Sequence, residues 1–204
     1  MCGRYTVKKL DQQAFKRRYN VELPDFDDAL DIRPTHEVLV CAAPGLAERM
    51  RWGLLPVWAS DLKGKPQPIN AMGESIQAKP MFKRLFLQRR CLIFASSFYE
   101  WQARPGQPKK QRMEISAPEP VAFAGLWDIW HPKQEAVRSC TIITTSANEL
   151  IATVHNRMPV ILEPEAAREW LSPEASAESL QALLTTRSPE GMRVAAVDEP
   201  VAAA

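Results

Sequence analysis

The sequence predicts an α+β fold: a single domain with a mostly antiparallel, barrel-like sheet flanked by helices. Three observations predict it. Short apolar runs rich in β-branched and aromatic residues recur between turn signals. The 17 prolines punctuate those runs and imply tight connections. The helical patterns gather at the two ends of the chain and around residue 80, without the strand–helix alternation of a parallel sheet. No internal repeat and no interdomain linker is present. One domain is therefore expected over residues 1–194, followed by a loose tail at 195–204, which lacks turn and helix signals.

Taken in order, Thr6 is placed to cap a helix running to about residue 19. Leu10, Ala14 and Phe15 would face inward, and Lys8, Lys9, Lys16, Arg17 and Arg18 outward. Strands are expected over 37–42, 48–53, 91–95, 98–103, 112–116, 121–127 and 137–144, from β-rich runs bounded by Gly, Pro and polar clusters. Residues 59–67 are polar and lysine-bearing and read as an exposed loop. Residues 75–88 carry a helical pattern broken near Pro80. Short helices follow at 146–154 with Ser146 as cap, at 163–171 with Pro164 in the first turn, and at 176–184.

Composition narrows the function classes. The 204 residues suffice for one large core. Charged residues make up 25% and hydrophobic ones 46%, the profile of a soluble globular protein. The net charge is only +2, so nucleic-acid binding must come from a local patch. The four cysteines, Cys2, Cys41, Cys91 and Cys140, lie far apart. No Cys-x-x-Cys or Cys/His cluster exists, so no metal site is expected. The start lacks the apolar segment of a secretory signal, and no apolar run is long enough to span a bilayer. A reducing, cytoplasmic setting with free thiols is expected.

Cys2 is the residue with the most distinctive chemistry. Clipping of Met1 would leave an α-amine and a thiol on adjacent carbons. The amine attacks an aldehyde to give an imine, and the thiol closes a five-membered thiazolidine. The thiol alone is also a nucleophile, with the α-amine as base. The two groups titrate near about 7.7 and about 8.5, so both are usable at neutral pH. An ordinary residue near a chain end is the alternative.

Other segments carry pairs of open readings. In Phe98-Tyr99-Glu100-Trp101, alternation puts Phe98 and Glu100 on one face and Tyr99 and Trp101 on the other. Glu100 is either a desolvated proton-transfer group with a raised pKa or a carboxylate in water behind a Tyr99/Trp101 core. Of the three histidines, only His155 is flanked by apolar segments on both sides. It reads as an acid–base group or as a structural histidine. Asn70, between Ile69 and Ala71, positions a substrate oxygen or the Cys2 amine, or it serves a turn. Trp52 and Trp58 are stacking platforms for an unpaired base or core residues. Basic clusters at Lys83-Arg84, Arg89-Arg90 and Lys109-Lys110-Gln111-Arg112 meet phosphates or face solvent.

Taken together these segments resemble the SOS-response-associated peptidase (SRAP) family of abasic-site-processing proteins. The matching pieces are Met1-Cys2-Gly3-Arg4-Tyr5, Arg33-Pro34-Thr35, Arg51-Trp52-Gly53-Leu54-Leu55-Pro56, Ile69-Asn70-Ala71, Lys79-Pro80-Met81-Phe82, Arg89-Arg90-Cys91-Leu92, Phe98-Tyr99-Glu100-Trp101, Phe123-Ala124-Gly125-Leu126-Trp127 and His155-Asn156-Arg157-Met158-Pro159-Val160. Their order over residues 1 to about 171 makes the resemblance specific. It implies an abasic site in single-stranded DNA as partner and substrate, with no cofactor, no metal and no membrane, and a monomer. The opened deoxyribose aldehyde is captured by the Cys2 amine, and the thiol closes a thiazolidine DNA–protein crosslink. Trapping the imine removes the path to β-elimination and strand breakage. By match, Cys2 supplies amine and thiol, Asn70 positions Cys2 or the sugar, and Glu100 moves protons. His155 assists the sugar chemistry. Arg4, Trp52, Thr144 and Arg157 are the implied DNA contacts, with Arg4 and Arg157 on phosphates. The family name records a peptidase proposal, removal of Met1 being self-catalysed or left to an aminopeptidase.

The chain departs from the family pattern in places. The family usually has Asn where Asp31 stands and Arg where Met72 stands, and Asp-Gly where Ser96-Ser97 stands. The family's Asn-bearing C-terminal segment is not evident in 195–204. Asp31 and Met72 shift the charge near the DNA path by two units, so weaker or retuned DNA binding is expected with the chemistry kept. One rival is an N-terminal-nucleophile glutamine amidohydrolase, whose members also begin Met-Cys-Gly. Arg4 replaces their usual apolar residue, and no glutamine-holding Arg-Trp-Ala-Thr-His-Gly segment occurs. The other is a non-catalytic reader of single-stranded or modified DNA. Crosslinking, glutamine-dependent ammonia release and purely reversible binding separate the three.

Overall fold

A computed structural model of the chain describes residues 2–131 and 135–198. In chain order it contains β1 (Arg4–Val7), α1 (Gln12–Tyr19), β2 (Ala29–Ile32), β3 (Glu37–Ala43), β4 (Leu46–Trp52), β5 (Asn70–Met72), α2 (Pro80–Gln88), β6 (Arg90–Gln102) and β7 (Gln111–Trp130). There follow β8 (Val137–Ser146), α3 (Glu149–Ala152), β9 (Arg157–Pro159), β10 (Ile161–Leu162), α4 (Pro164–Leu171), α5 (Ala177–Ala182) and β11 (Arg193–Ala196). The architecture is the expected α+β type. Strands β6, β7, β8, β4 and β3 close a ring, with β6 pairing back to β3. Pairing is antiparallel except where β8 meets β4 and β5. The ring is less regular than a barrel, because β1 and β2 extend it beside β6 and short strands attach to β7 and β8.

Two pairs of expected strands fuse. Residues 91–95 and 98–103 fall within β6, and 112–116 and 121–127 within β7. The register jumps from Ala95 opposite Val121 to Ser97 opposite Ser116. The surplus residues on β7 include Pro118 and Pro120, which have no N–H for the ladder and so sit in this bulge. The local turn signal is therefore a bend within one strand.

The start of the chain differs from expectation. Thr6 is no helix cap. It lies buried in β1, pairs opposite Ser97 and shares a 2.8 Å hydroxyl–hydroxyl hydrogen bond with it. Sheet pairing overrides the local cap signal. A 3₁₀ turn over Lys9–Asp11 leads into α1, and Leu10 is 77% exposed, not inward. Phe15 does face inward, edge-on to Phe94 at 5.2 Å. Asn20 ends α1 with φ 49°, the left-handed conformation that Asn tolerates.

The other helices sit near their expected places. Pro80 and Pro164 occupy the first turns of α2 and α4. The cap of α3 is Asn148, not Ser146, because Ser146 is the last residue of β8. At the C-terminal end, Ala195 and Ala196 belong to β11 and pair with Glu114 and Met113. The expected loose tail is thus wrong for those residues: β7 offers a second edge there. Residues 199–204 lie outside the described residues.

The core fills the ring. Tyr5 packs edge-on to Trp52 at 5.3 Å and to Phe123 at 6.0 Å, and Phe98 meets Phe123 at 5.9 Å. Rings at these angles and separations are favourable pairs. Buried Arg90 ties α2 and α4 to β6 by donating to the carbonyls of Trp170, Phe86, Leu87 and Ser172 at 2.5–3.1 Å. Among the described residues no helix is long and apolar enough to cross a membrane.

Candidate active site

Strand β6 decides the first open reading. Phe98 points into the core and Glu100, two residues on, shares that face. Glu100 is only 3% exposed. Burial raises its carboxyl pKa, with the charge of His155 working against that rise. Tyr99 and Trp101 take the outer face. There Arg112 stacks over Tyr99 at 3.6 Å and Arg4 over Trp101 at 5.3 Å.

Cys2 reaches the same interior because β1 pairs antiparallel to β6, Arg4 opposite Tyr99. It is 0% exposed, and its thiol contacts the Arg4 carbonyl at 3.9 Å. Burial first, and then Glu100, push the thiol pKa well above the ordinary range. The thiol therefore stays protonated at neutral pH. Met1, whose removal the chemistry requires, lies outside the described residues.

Asn70 opens β5, which lies parallel to β8 with Asn70 opposite Ile142. Its side-chain N–H donates to the Cys2 carbonyl at 3.0 Å. Its Oδ1 is buried without a hydrogen-bond partner. One end of this amide thus holds Cys2, and the other is a buried acceptor left open.

His155 follows α3, whose cap Asn148 accepts from the Ile151 N–H at 2.9 Å. The His155 N–H bonds the Ile151 carbonyl at 2.9 Å, fixing the backbone. Its Nδ1 accepts from the Arg157 N–H at 3.0 Å. In the neutral ring the proton therefore sits on Nε2. The structure thus brings Cys2, Asn70 and Glu100 together with His155 near enough for its charge to act on Glu100.

The implied DNA contacts fare differently. Arg4 lies on the outer face, partly exposed beside Asp31. Trp52 and Thr144 are 0% exposed and offer no surface to a base or phosphate. Trp52 spends its indole N–H on the Ile69 carbonyl at 2.9 Å and its ring on Tyr5. The inward side of β4 claims it for the core. Thr144 lies within β8, between β5 and β9. Arg157 is held by Glu74 through paired bonds of 2.6 and 2.9 Å and by the Thr144 carbonyl at 2.7 Å. Trp58 is the exposed indole, at 66%, with Lys65 over its ring. It lines a groove of about 480 Å³ with Met81, Leu85 and Asp128. That groove lies toward the opposite end of β7 from Met113, the partner of Glu100. Arg84 and Arg89 are there too, paired with Asp128.

Sequence reasoning missed that Asp31 gathers Arg4, Arg33 and the buried Arg112 beside Trp101's face of β6. Hairpin alternation was the available signal: Trp101 pairs opposite Arg112, so both share one face. Among the described residues no group of three or more His, Cys, Asp or Glu is placed to hold a metal.

The family model "SOS response associated peptidase (SRAP)" matches residues 1–204. The abasic site processing protein YoqW of Bacillus subtilis (strain 168) is 37% identical over 194 residues, covering 90% of this chain and 86% of that protein. The abasic site processing protein HMCES of Xenopus tropicalis is 32% identical over 148 residues, covering 60% of this chain and 44% of that protein. A crystal structure of a Bacteroides thetaiotaomicron protein superposes with a TM-score of 0.87 at 22% identity, covering 97% of this chain and 92% of that one, and so shares the fold.

Proposed function

The chain belongs to the SOS response associated peptidase (SRAP) family, and from that premise we propose that it processes abasic sites in single-stranded DNA by forming a thiazolidine crosslink through Cys2. The observation that carries this reading is the buried grouping of Cys2, Asn70 and Glu100. Relatives named abasic site processing proteins, YoqW among them, support the substrate.

The chemistry follows from the groups present. Removal of Met1, by Cys2 itself or by an aminopeptidase, frees the α-amine. The abasic sugar opens when its C1′ hydroxyl loses a proton and its ring oxygen gains one. The amine attacks the resulting C1′ aldehyde to give a carbinolamine. The carbinolamine hydroxyl takes a proton and leaves as water while the nitrogen gives up its remaining proton, forming the imine. The thiol then adds: the S–C1′ bond forms, and the thiol proton passes to nitrogen. One water is lost overall. The amine attacks first, and the thiol enters with its proton.

Glu100 is suited to these transfers because its raised pKa lets it hold a proton nearer neutrality and return it. His155 supplies a second proton carrier through Nε2. Asn70 holds the Cys2 backbone and presents Oδ1 to the incoming sugar. The protein is proposed to act as a monomer without cofactor.

The test is crosslinking to a single-stranded oligonucleotide with one abasic site. Wild type should give a heat-stable adduct and Cys2→Ala none. A heat-stable adduct formed by Cys2→Ala would remove the thiazolidine from the account.

A further inference from the structure

The outer face of β6 carries a group that the crosslinking chemistry does not use. Tyr99 and Trp101 lie there side by side, with the guanidinium groups of Arg112 and Arg4 over their rings. Tyr99 and Arg112 are themselves buried, so the groups of this face open to a strand are Trp101, Arg4 and Arg33, a ring for a base and cations for phosphates. One carboxylate stands among these cations. Asp31, on neighbouring β2, takes the Arg33 side chain on Oδ2 through Nε at 2.7 Å and a second N–H. Its Oδ1 faces Arg4 at 3.5 Å and Arg112 at 3.8 Å. That oxygen is buried and accepts no hydrogen bond. Asp31 thus forms a close bond with one arginine and loose ion pairs with two.

We propose that Asp31 is a built-in competitor for DNA phosphate, holding Arg4, Arg33 and Arg112 in place while lowering the affinity of this face for the strand. The proposal rests on the reading that the chain binds abasic single-stranded DNA, and it makes Asp31 a positioning residue that acts through arginines. A phosphate approaching Arg4 meets the negative charge of Asp31 within a few ångströms. It must share the guanidinium groups or displace the carboxylate from its two long contacts. The Arg33 pair, being close, keeps Asp31 anchored while Arg4 turns toward the phosphate, and buried Arg112 stays stacked on Tyr99. Such an arrangement favours release of intact single strands, whereas an abasic strand is retained by the covalent step.

The experiment measures the affinity of full-length Cys2→Ala protein for an abasic single-stranded oligonucleotide across a salt series, with and without Asp31→Asn. The amide keeps the shape and removes the charge. Asp31→Asn should tighten binding by roughly three- to tenfold near physiological salt, the size of one unit charge acting across a few ångströms of solvated surface. It should also steepen the salt dependence by about 0.7, one further phosphate neutralised on a single strand. Asp31→Glu should keep the wild-type slope, and Asp31→Ser serves the same test if the amide does not fold. Unchanged or weakened binding with an unchanged slope would overturn the proposal and make Asp31 only a scaffold for the arginines. If protein with native Cys2 forms no crosslink, the proposed function fails whatever Asp31 does. If it crosslinks and Asp31→Asn changes nothing, only the Asp31 proposal falls.

Discussion

Glu100 shows what one residue's surroundings do to its chemistry. A carboxyl in water is ionised at neutral pH, but this one sits beside Phe98 on the inner face of β6 and its pKa is raised by burial. Below the ordinary carboxylate range, folded and unfolded chains are both protonated there. As pH climbs through that range the unfolded chain ionises and the folded one resists. Glu100 therefore weakens the fold progressively until its folded carboxyl ionises. Glu100→Gln should flatten this fall of stability with pH while slowing crosslinking by roughly 10²-fold or more, the usual worth of a positioned proton carrier. Thermal melts across pH and a crosslinking time course check the two effects. A variant that crosslinks at the wild-type rate removes Glu100 from the chemistry. The sequence showed that Phe98 and Glu100 share a face but not which face is inner, since Tyr99 and Trp101 are apolar enough for a core. Trp52 posed the same ambiguity and resolved the other way, into the core.

At the scale of elements, the site depends on short segments attached to longer ones. His155 is placed by α3, only Glu149–Ala152, which cannot stand alone. Its cap, Asn148, is buried and also donates to the Arg187 carbonyl at 3.0 Å. Asn148→Ala should cost about 1–2 kcal/mol of stability, the usual worth of a cap. It should also slow the sugar chemistry by loosening His155. Chemical denaturation measures the first and single-turnover kinetics the second, and an unchanged midpoint would show that α3 is held without its cap. The long strands were readable because their runs of β-branched and aromatic residues are strong. Strands β1, β5 and β9 were not, since Arg4–Val7, Asn70–Met72 and Arg157–Pro159 are too short for a periodic signal and exist through pairing with β6 and β8. Two of those segments bring Cys2 and Asn70 to the site, and the third carries Arg157, whose N–H holds the His155 ring. The motif resemblance therefore named residues that strand patterning had no means to assemble.

For the whole molecule, a net charge of +2 leaves DNA affinity to local cations. Binding should favour abasic single strands over intact duplex, because an unpaired strand admits its sugar to the interior site. It should weaken with salt at a shallow slope, about 0.7 per phosphate neutralised. Met72 is partly exposed at the end of β5, and Met72→Arg should steepen that slope by about the same amount. A salt series on the Cys2→Ala protein checks this, and equal binding to intact duplex would remove the single-strand claim. The α+β class was legible from pattern alone. The ring closure was not, because it depends on β6 pairing with both β3 and β7, contacts that no local signal encodes. The intact mass of the protein after incubation with abasic single-stranded DNA tests the covalent chemistry of Cys2. One new species is expected, equal to the chain without Met1 plus the oligonucleotide minus one water, and it should be absent for Cys2→Ala. An unchanged protein mass, or the same adduct formed by Cys2→Ala, would contradict it.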